Sequence, residues 1–217
     1  MGDIDFNEDA VAKLSPSEVV AALRRVDPAD PAIKKLDIDV IGRRIDPRKL
    51  STDEFVGLLS AIGTLADAGA DVDLSKMDAQ NFARIISRAS SGQIETATST
   101  PGLRGRVLDE LFRRMSSHFI PERARDGRVV MQFRVTGGAG DGGFDHYSVV
   151  IDNRECSVAK KPSEDAKTTI TLSPADLLKL ATGNASATMM FLRGKVKVTG
   201  SLGFASGFMG MFEVPKA

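Results

Sequence analysis

A change in the spacing of apolar residues part-way along this chain limits the fold more than any other feature. Up to Phe119 large apolar residues recur every three or four positions, whereas after it come segments, the first at Val129–Thr136, in which they recur every two. The first spacing marks one face of a helix; the second marks a strand with one face covered and the other wet. The chain therefore reads as an all-α N-terminal region followed by an α+β domain.

Capping signals sharpen the helical half. Ser15-Pro16-Ser17-Glu18 and Ser51-Thr52-Asp53-Glu54 are capping boxes, the first with proline at the opening helical position. Val19, Leu23 and Val26 follow the first box; Phe55, Leu58, Leu59, Ile62 and Leu65 follow the second, with Gly69 as a stop. A short helix is expected around Ile38, Ile41 and Ile45, among turn-forming Asp-Pro steps, and another around Phe82, Ile85, Ile86 and Ala89. Residues 92–102 are rich in Ser and Thr and end in Pro101-Gly102, the composition of a linker. The resulting division is residues 1–91 helical, 92–102 linker and 103–217 a second domain.

That second domain opens on an amphipathic helix through Leu103, Val107, Leu108, Leu111, Phe112, Met115 and Phe119. Strands are expected at Val129–Thr136, around Tyr147, Val149 and Ile151, at Thr168–Leu172 and at Lys195–Thr199. Ser173-Pro174-Ala175-Asp176 caps a helix carrying Leu177, Leu178 and Leu180. The related strings beginning Leu14-Ser15, Leu50-Ser51 and Leu172-Ser173 share capping chemistry, which explains the likeness without an internal repeat.

Charge and cysteine content exclude several classes. The net charge is zero, against a broad basic face for nucleic acid. Residues 1–100 carry 12 Lys+Arg and 17 Asp+Glu, whereas 101–217 carry 17 and 12, so the second half has a basic bias compatible with transient contact with an anionic membrane surface. The single Cys156 rules out an intrachain disulfide and fits a reducing, cytoplasmic setting; the acidic N-terminus lacks a signal-peptide core, and no apolar run reaches the roughly 20 residues of a membrane span. Oligomeric state is not encoded in any of these features.

No motif for catalysis or for a cofactor survives inspection. Gly138-Ala139-Gly140-Asp141-Gly142-Gly143 fits a dinucleotide pattern, but a strand follows where phosphate binding needs a helix N-terminus, so it reads as a hairpin loop. Asp71-Val72-Asp73-Leu74-Ser75 starts like a calcium loop, yet its sixth position is Lys76 and its twelfth Phe82. His118 and His146 lack metal-ligand spacing, and Cys156 has no nearby histidine motif. These three would be the distinctive groups of an isomerase or transferase acting on a hydrophobic substrate, the weakest of the functional readings. The expectation is no enzyme, no metal and no cofactor.

Soft apolar material is concentrated near the end of the chain. Met189-Met190-Phe191-Leu192 run together, and Leu202, Phe204, Phe208, Met209, Met211 and Phe212 lie among Gly203, Gly207 and Gly210. Methionine adapts to irregular space, which suits either a cavity wall or a packed terminal segment.

The order of these elements resembles the sterol carrier protein type-two family. The resemblance rests on Leu108-Asp109-Glu110-Leu111-Phe112, Val130-Met131-Gln132-Phe133-Arg134-Val135 and Tyr147-Ser148-Val149-Val150-Ile151. Its most specific part runs from Thr169 to Gly200, a threonine-rich strand, the Ser173-capped helix, a turn at Gly183-Asn184 and Gly194-Lys195-Val196-Lys197-Val198-Thr199-Gly200. It covers about half of the chain, and residues 1–100 match no family recognised here. It implies a five-stranded, mostly antiparallel sheet covered on one face by helices that enclose an apolar tunnel. The implied function is non-catalytic binding, with intermembrane transfer, of a lipid or steroid-like ligand such as a sterol, fatty acid or acyl-CoA. Phe133, Leu177, Leu180, Met190, Phe191, Phe204, Phe208 and Met209 are the implied lining residues, and the terminal segment a lid. An alternative is an accessory module that holds a lipid-like substrate for a partner enzyme recruited by the helical region.

Overall fold

The computed structural model describes residues 8–30, 33–34, 36–70 and 72–213. The N-terminal acidic run up to Asn7, Pro31 of the second Asp-Pro step, Asp71 of the rejected calcium loop and the terminal residues 214–217 lie outside the described residues. The chain divides into two compact units between Val107 and Leu108.

The first unit is helical: α1 (Glu8–Lys13), α2 (Pro16–Leu23), α3 (Ile38–Arg44), α4 (Thr52–Asp67), α5 (Ala79–Arg88), α6 (Ser91–Ser99) and the start of α7 (Leu103–Ser117). Both expected capping boxes form. The Glu18 N–H donates to Ser15 Oγ at 3.3 Å while the Ser15 N–H donates to the Glu18 carboxylate at 2.7 Å, and Ser51 and Glu54 repeat the exchange. Helix α4 packs on α2 and α6, burying Val19, Leu23, Phe55, Leu58, Ile62 and Ile94.

The expected linker at 92–102 is mostly helix. Ser90 and Gln93 form a third capping box at the start of α6, and the buried Gln93 Nε2 donates to the Pro47 and Leu50 carbonyls, both at 2.9 Å. Thr98 and Thr100 turn their hydroxyls back onto the Ile94 and Thr96 carbonyls. Polar composition suggested a flexible tether, but these hydroxyls are satisfied inside the helix, and Ile94 and Ala97 supply a buried edge. The unit boundary accordingly falls within α7 rather than at Gly102.

The second unit is built on a five-stranded sheet: β1 (Arg128–Thr136), β2 (Phe144–Asp152), β3 (Glu155–Ala159), β4 (Thr168–Leu172) and β5 (Val196–Gly200), in the order β3-β2-β1-β4-β5. The β1–β2, β2–β3 and β4–β5 pairs are antiparallel and β1–β4 is parallel. Helices α8 (Pro174–Ala181), α9 (Ala187–Leu192) and α10 (Leu202–Phe208) complete it. The glycine-rich loop is the β1–β2 hairpin connection. A Cβ at Gly138 would stand 2.3 Å from the Asp145 backbone nitrogen, so glycine is the residue that fits. The β2–β3 turn places Asn153 and Arg154 at φ 48° and 68°, the left-handed pair of a type I′ hairpin.

Register puts Met131, Phe133 and Val135 of β1 on the same face as Tyr147, Val149, Ile151, Ile170 and Leu172. All eight are buried. The opposite face is not uniformly wet. Gln132 and Ser148 pair there and are 3% and 2% exposed, because the 160–167 connection from β3 to β4 crosses over them. The Ser163 N–H donates to Gln132 Oε1 at 2.9 Å, and the Ser148 hydroxyl lies 2.7 Å from the Lys161 carbonyl and 3.0 Å from the same Oε1. The Lys167 N–H donates to the Val130 carbonyl at 3.0 Å. The side-chain amide of Gln132 thus accepts from a loop N–H, that of Ser163, that has no ladder partner.

Candidate functional site

The apolar face of the sheet and the helices on it form the candidate site. An aromatic series runs through it. Phe112 of α7 stacks on Tyr147 with centroids 4.0 Å apart and meets Phe133 edge-on at 5.2 Å; Phe133 meets Phe208 of α10 at 5.9 Å; Phe208 meets Phe204 at 5.9 Å and Phe212 at 5.0 Å. Such offset and edge contacts add about 0.5–1.5 kcal/mol each beyond area burial. Tyr147 is buried, and its hydroxyl donates to Asp109 Oδ1 at 2.5 Å, which Lys160 Nζ also reaches at 2.8 Å. One end of the aromatic series is therefore fixed by an ion pair at the surface of the unit.

The expected lining residues are placed unevenly. Phe133, Leu177, Leu180, Met190 and Phe208 are buried, Phe204 and Met209 are half-buried, and Phe191 is exposed. Helix α10 packs on β4 and β5, α9 on β5 and α8 on β1. Phe112, Tyr147 and Phe212 belong to the same aromatic series and were not among the expected lining residues. Phe112 sits on the apolar stripe of α7, a signal that marks burial without distinguishing core from site.

Helix α10 is a strap held at both ends. At its start Thr168 Oγ1 lies 3.2 Å from the Ser201 carbonyl and accepts the Ser201 N–H at 3.1 Å. Beyond its end the chain pairs with residues 118–120: the Ile120 N–H donates to the Met211 carbonyl and the Glu213 N–H to the His118 carbonyl, each at 2.8 Å, with Phe119 opposite Phe212. Between these anchors Gly203 and Gly207 occupy helical positions where an added Cβ would meet nothing within 4 Å. Packing does not demand glycine at either position, yet each weakens the helix by about 1 kcal/mol relative to alanine. The strap is thus firmly anchored and internally soft.

The groups considered for catalysis are placed as follows. His118 is half-buried beyond the last turn of α7, and His146 is half-buried on β2, its Nε2 3.2 Å from the Asp141 carbonyl. Burial pushes the Cys156 thiol up to about 11, far from a reactive thiolate at neutral pH. Among the described residues there is no cluster of His, Cys, Asp and Glu suited to a metal ion, and no helix long and apolar enough to cross a membrane.

Comparison with known proteins places this unit. The family model described as the SCP-2 sterol transfer family matches residues 108–213, nearly the span of the second compact unit. Sterol carrier protein 2 of Oryctolagus cuniculus is 30% identical over 166 residues, 75% of this chain and 28% of the relative, so the chain spans just over a quarter of that protein's length. Among solved structures, sterol carrier protein-2 of Aedes aegypti in complex with the C16 fatty acid palmitate aligns with TM-score 0.35 and 20% identity, over 49% of this chain and 97% of that one. An inverting sec-alkylsulfatase from Pseudomonas sp. aligns with TM-score 0.44 and 14% identity, over 98% of this chain and 32% of that one. Over residues 108–213 the chain belongs to the SCP-2 sterol transfer family.

Proposed function

We propose that the second unit binds a single hydrophobic ligand, of the fatty-acyl or sterol class, without chemical conversion, between the apolar face of the sheet and the α10 strap. The observation that carries this reading is the strap itself, within a domain of a sterol transfer family: a glycine-weakened helix, pinned at Thr168 and at the Phe119–Phe212 bridge, lies over β4 and β5 and contributes Phe208 to the buried aromatic series. Such a segment can lift to admit a ligand while its ends stay bonded. Phe133, Phe204, Phe208 and Met209 would meet the ligand from the sheet and strap, with Leu177, Leu180 and Met190 from α8 and α9, whereas Phe191 stands exposed on the outer side of α9. Transfer between membranes is the finer part of the proposal, since a carrier must also release its cargo.

Titrating delipidated protein with a fluorescent fatty acid, and weighing the complex by native mass spectrometry, tests the reading. One molecule of probe per chain is expected, displaced by palmitate or a sterol. Phe204→Asp, at a half-buried position, should weaken uptake by about tenfold or more while circular dichroism is unchanged, because a carboxylate in the apolar path loses hydration. A protein that takes up no probe under any condition sinks the proposal.

A further inference from the structure

We propose that the first, helical unit carries a ligand site of its own, a groove between α2, α4 and α6 that takes an organic anion with an apolar body. The proposal concerns the first unit alone and does not depend on the lipid-binding reading of the second.

The groove supplies the apolar half of the site. A cavity of about 750 Å³, open on one side, lies between the end of α2, the length of α4 and Thr96 of α6. Small-molecule sites occupy about 300–1,000 Å³. Leu23 and Val26 line it from α2 and the turn after it, Val56 and Leu65 from α4. Leu23 and Leu65 are buried and the two valines half-buried, so the walls present hydrocarbon. Gly57 and Ala61, one turn apart on α4, are too small to fill the space between those walls.

Arg24 supplies the charge, and a comparison within α4 shows that this charge is unanswered. Arg24 is the C-cap residue of α2 and lines the groove. Its guanidinium lies flat against α4 at Gly57, where a Cβ would stand 3.0 Å from Arg24 Cζ, 3.1 Å from Nη1 and 3.2 Å from Nε. The same helix cradles a second arginine: a Cβ at Gly63 would stand 3.3 Å from Arg106 Nε. There the fold provides the anion, because Arg106 is paired with Asp67. The Arg24 guanidinium makes no ion pair or hydrogen bond among the described residues. The C-terminal end of α2 favours a cation at this point, yet it leaves the N–H donors of the fork to solvent. Each glycine inside a helix costs about 1 kcal/mol relative to alanine, and at Gly57 that cost sets an unpaired guanidinium into the floor of a groove. Asp53, the one carboxylate among the described lining residues, stands in the first turn of α4, where the helix N-terminus offsets its charge. A carboxylate or phosphate on Arg24, with its hydrocarbon along Leu23, Val26 and Val56, satisfies both halves of the groove. A neutral apolar molecule would cover the guanidinium and leave it unpaired, which is unfavourable.

Proton–nitrogen correlation spectra of the labelled full chain, titrated with decanoate, test the site residue by residue. The amides of Gly57, Ala61, Thr64 and Thr96 should shift along one saturable curve, and decanol, the neutral analogue, should not reproduce it. Decyl phosphate, run beside decanoate, sorts phosphate from carboxylate ligands by which of the two saturates at the lower concentration. Arg24→Gln, at an exposed position, should weaken binding about tenfold or more, the loss of a charge-assisted pair. Asp53→Asn should tighten it about twofold by removing a like charge from the groove. Ala61→Leu, which fills the floor, should abolish the curve while circular dichroism stays as in the wild type. Absence of a saturable shift at these amides with both anions, an equal response to decanol, or wild-type affinity in Arg24→Gln overturns the proposal. Shifts confined to residues 108–213 would overturn it as well and leave the lipid-binding reading standing, because the two sites report through different amides.

Discussion

Gln132 shows how one residue can decide what an entire strand face does. Its place on the polar phase of β1 suggests solvent, yet its amide sits beneath the 160–167 crossover and bonds on both sides. Replacing it by leucine keeps much of the volume and strands the Ser163 N–H without its acceptor. The expected loss is about 1–3 kcal/mol of stability, measured by urea unfolding, the cost of leaving buried polar groups unpaired. Cys156 makes the opposite point, a group made inert by its surroundings. With its thiol at about 11, the thiolate fraction in the folded protein should rise tenfold per pH unit from neutrality up to that value. Modification by an aromatic disulfide reagent should therefore be negligible at pH 7 and climb steeply through pH 9 to 11. Modification at neutral pH as fast as that of a free thiol would contradict the burial that causes the shift.

At the scale of elements, the strap and the capped helices differ in how much of them the sequence displayed. Ser15, Ser51 and Ser173 cap the helices their motifs suggested, because a capping box is a local bond between residues three apart. The switch from helical to strand spacing was equally legible, since it follows burial on one face. Helix α6 was not: Ser91–Ser99 looks like a tether until Gln93 is seen to bond with the Pro47 and Leu50 carbonyls, more than forty residues away. The burial of Gln132 and Ser148 was hidden for the same reason, as it depends on where a distant crossover passes. In the candidate site, the sequence displayed that the final segment is apolar, but not that Phe191 faces out while Met190 faces in. The strap gives a prediction at this scale. Gly207→Ala meets no atom within 4 Å, so alanine is accommodated and the helix gains about 0.5–1 kcal/mol. If α10 must loosen to admit a ligand, the variant should melt higher and exchange bound probe more slowly in a stopped-flow competition. A higher melting temperature with unchanged exchange would show that the strap does not gate the site.

For the whole molecule, the unit boundary inside α7 determines what a functional fragment must contain. The second unit begins at Leu108, but helix α7 begins at Leu103, and Phe112, Leu111 and Met115 of that helix are buried. Phe112 is the residue that links Tyr147 to Phe133 in the aromatic series. A fragment of residues 103–213 retains the complete helix, all five strands and both anchors of the strap. It should unfold in one cooperative transition and take up the fatty-acid probe with the affinity of the full chain, within about threefold. A fragment starting at Pro121 lacks α7 and the Phe119–Phe212 bridge; it should lose cooperative unfolding, because truncating an aromatic residue in such a core alone costs about 3–5 kcal/mol, a large share of the stability of a small domain. Uptake by the longer fragment that matched its cooperative folding would locate the ligand wholly within residues 103–213 and leave the helical unit free for another role. Folding without uptake would mean that the site needs residues before Leu103, and the lipid-binding reading would then have to be reassigned from the second unit to the whole chain.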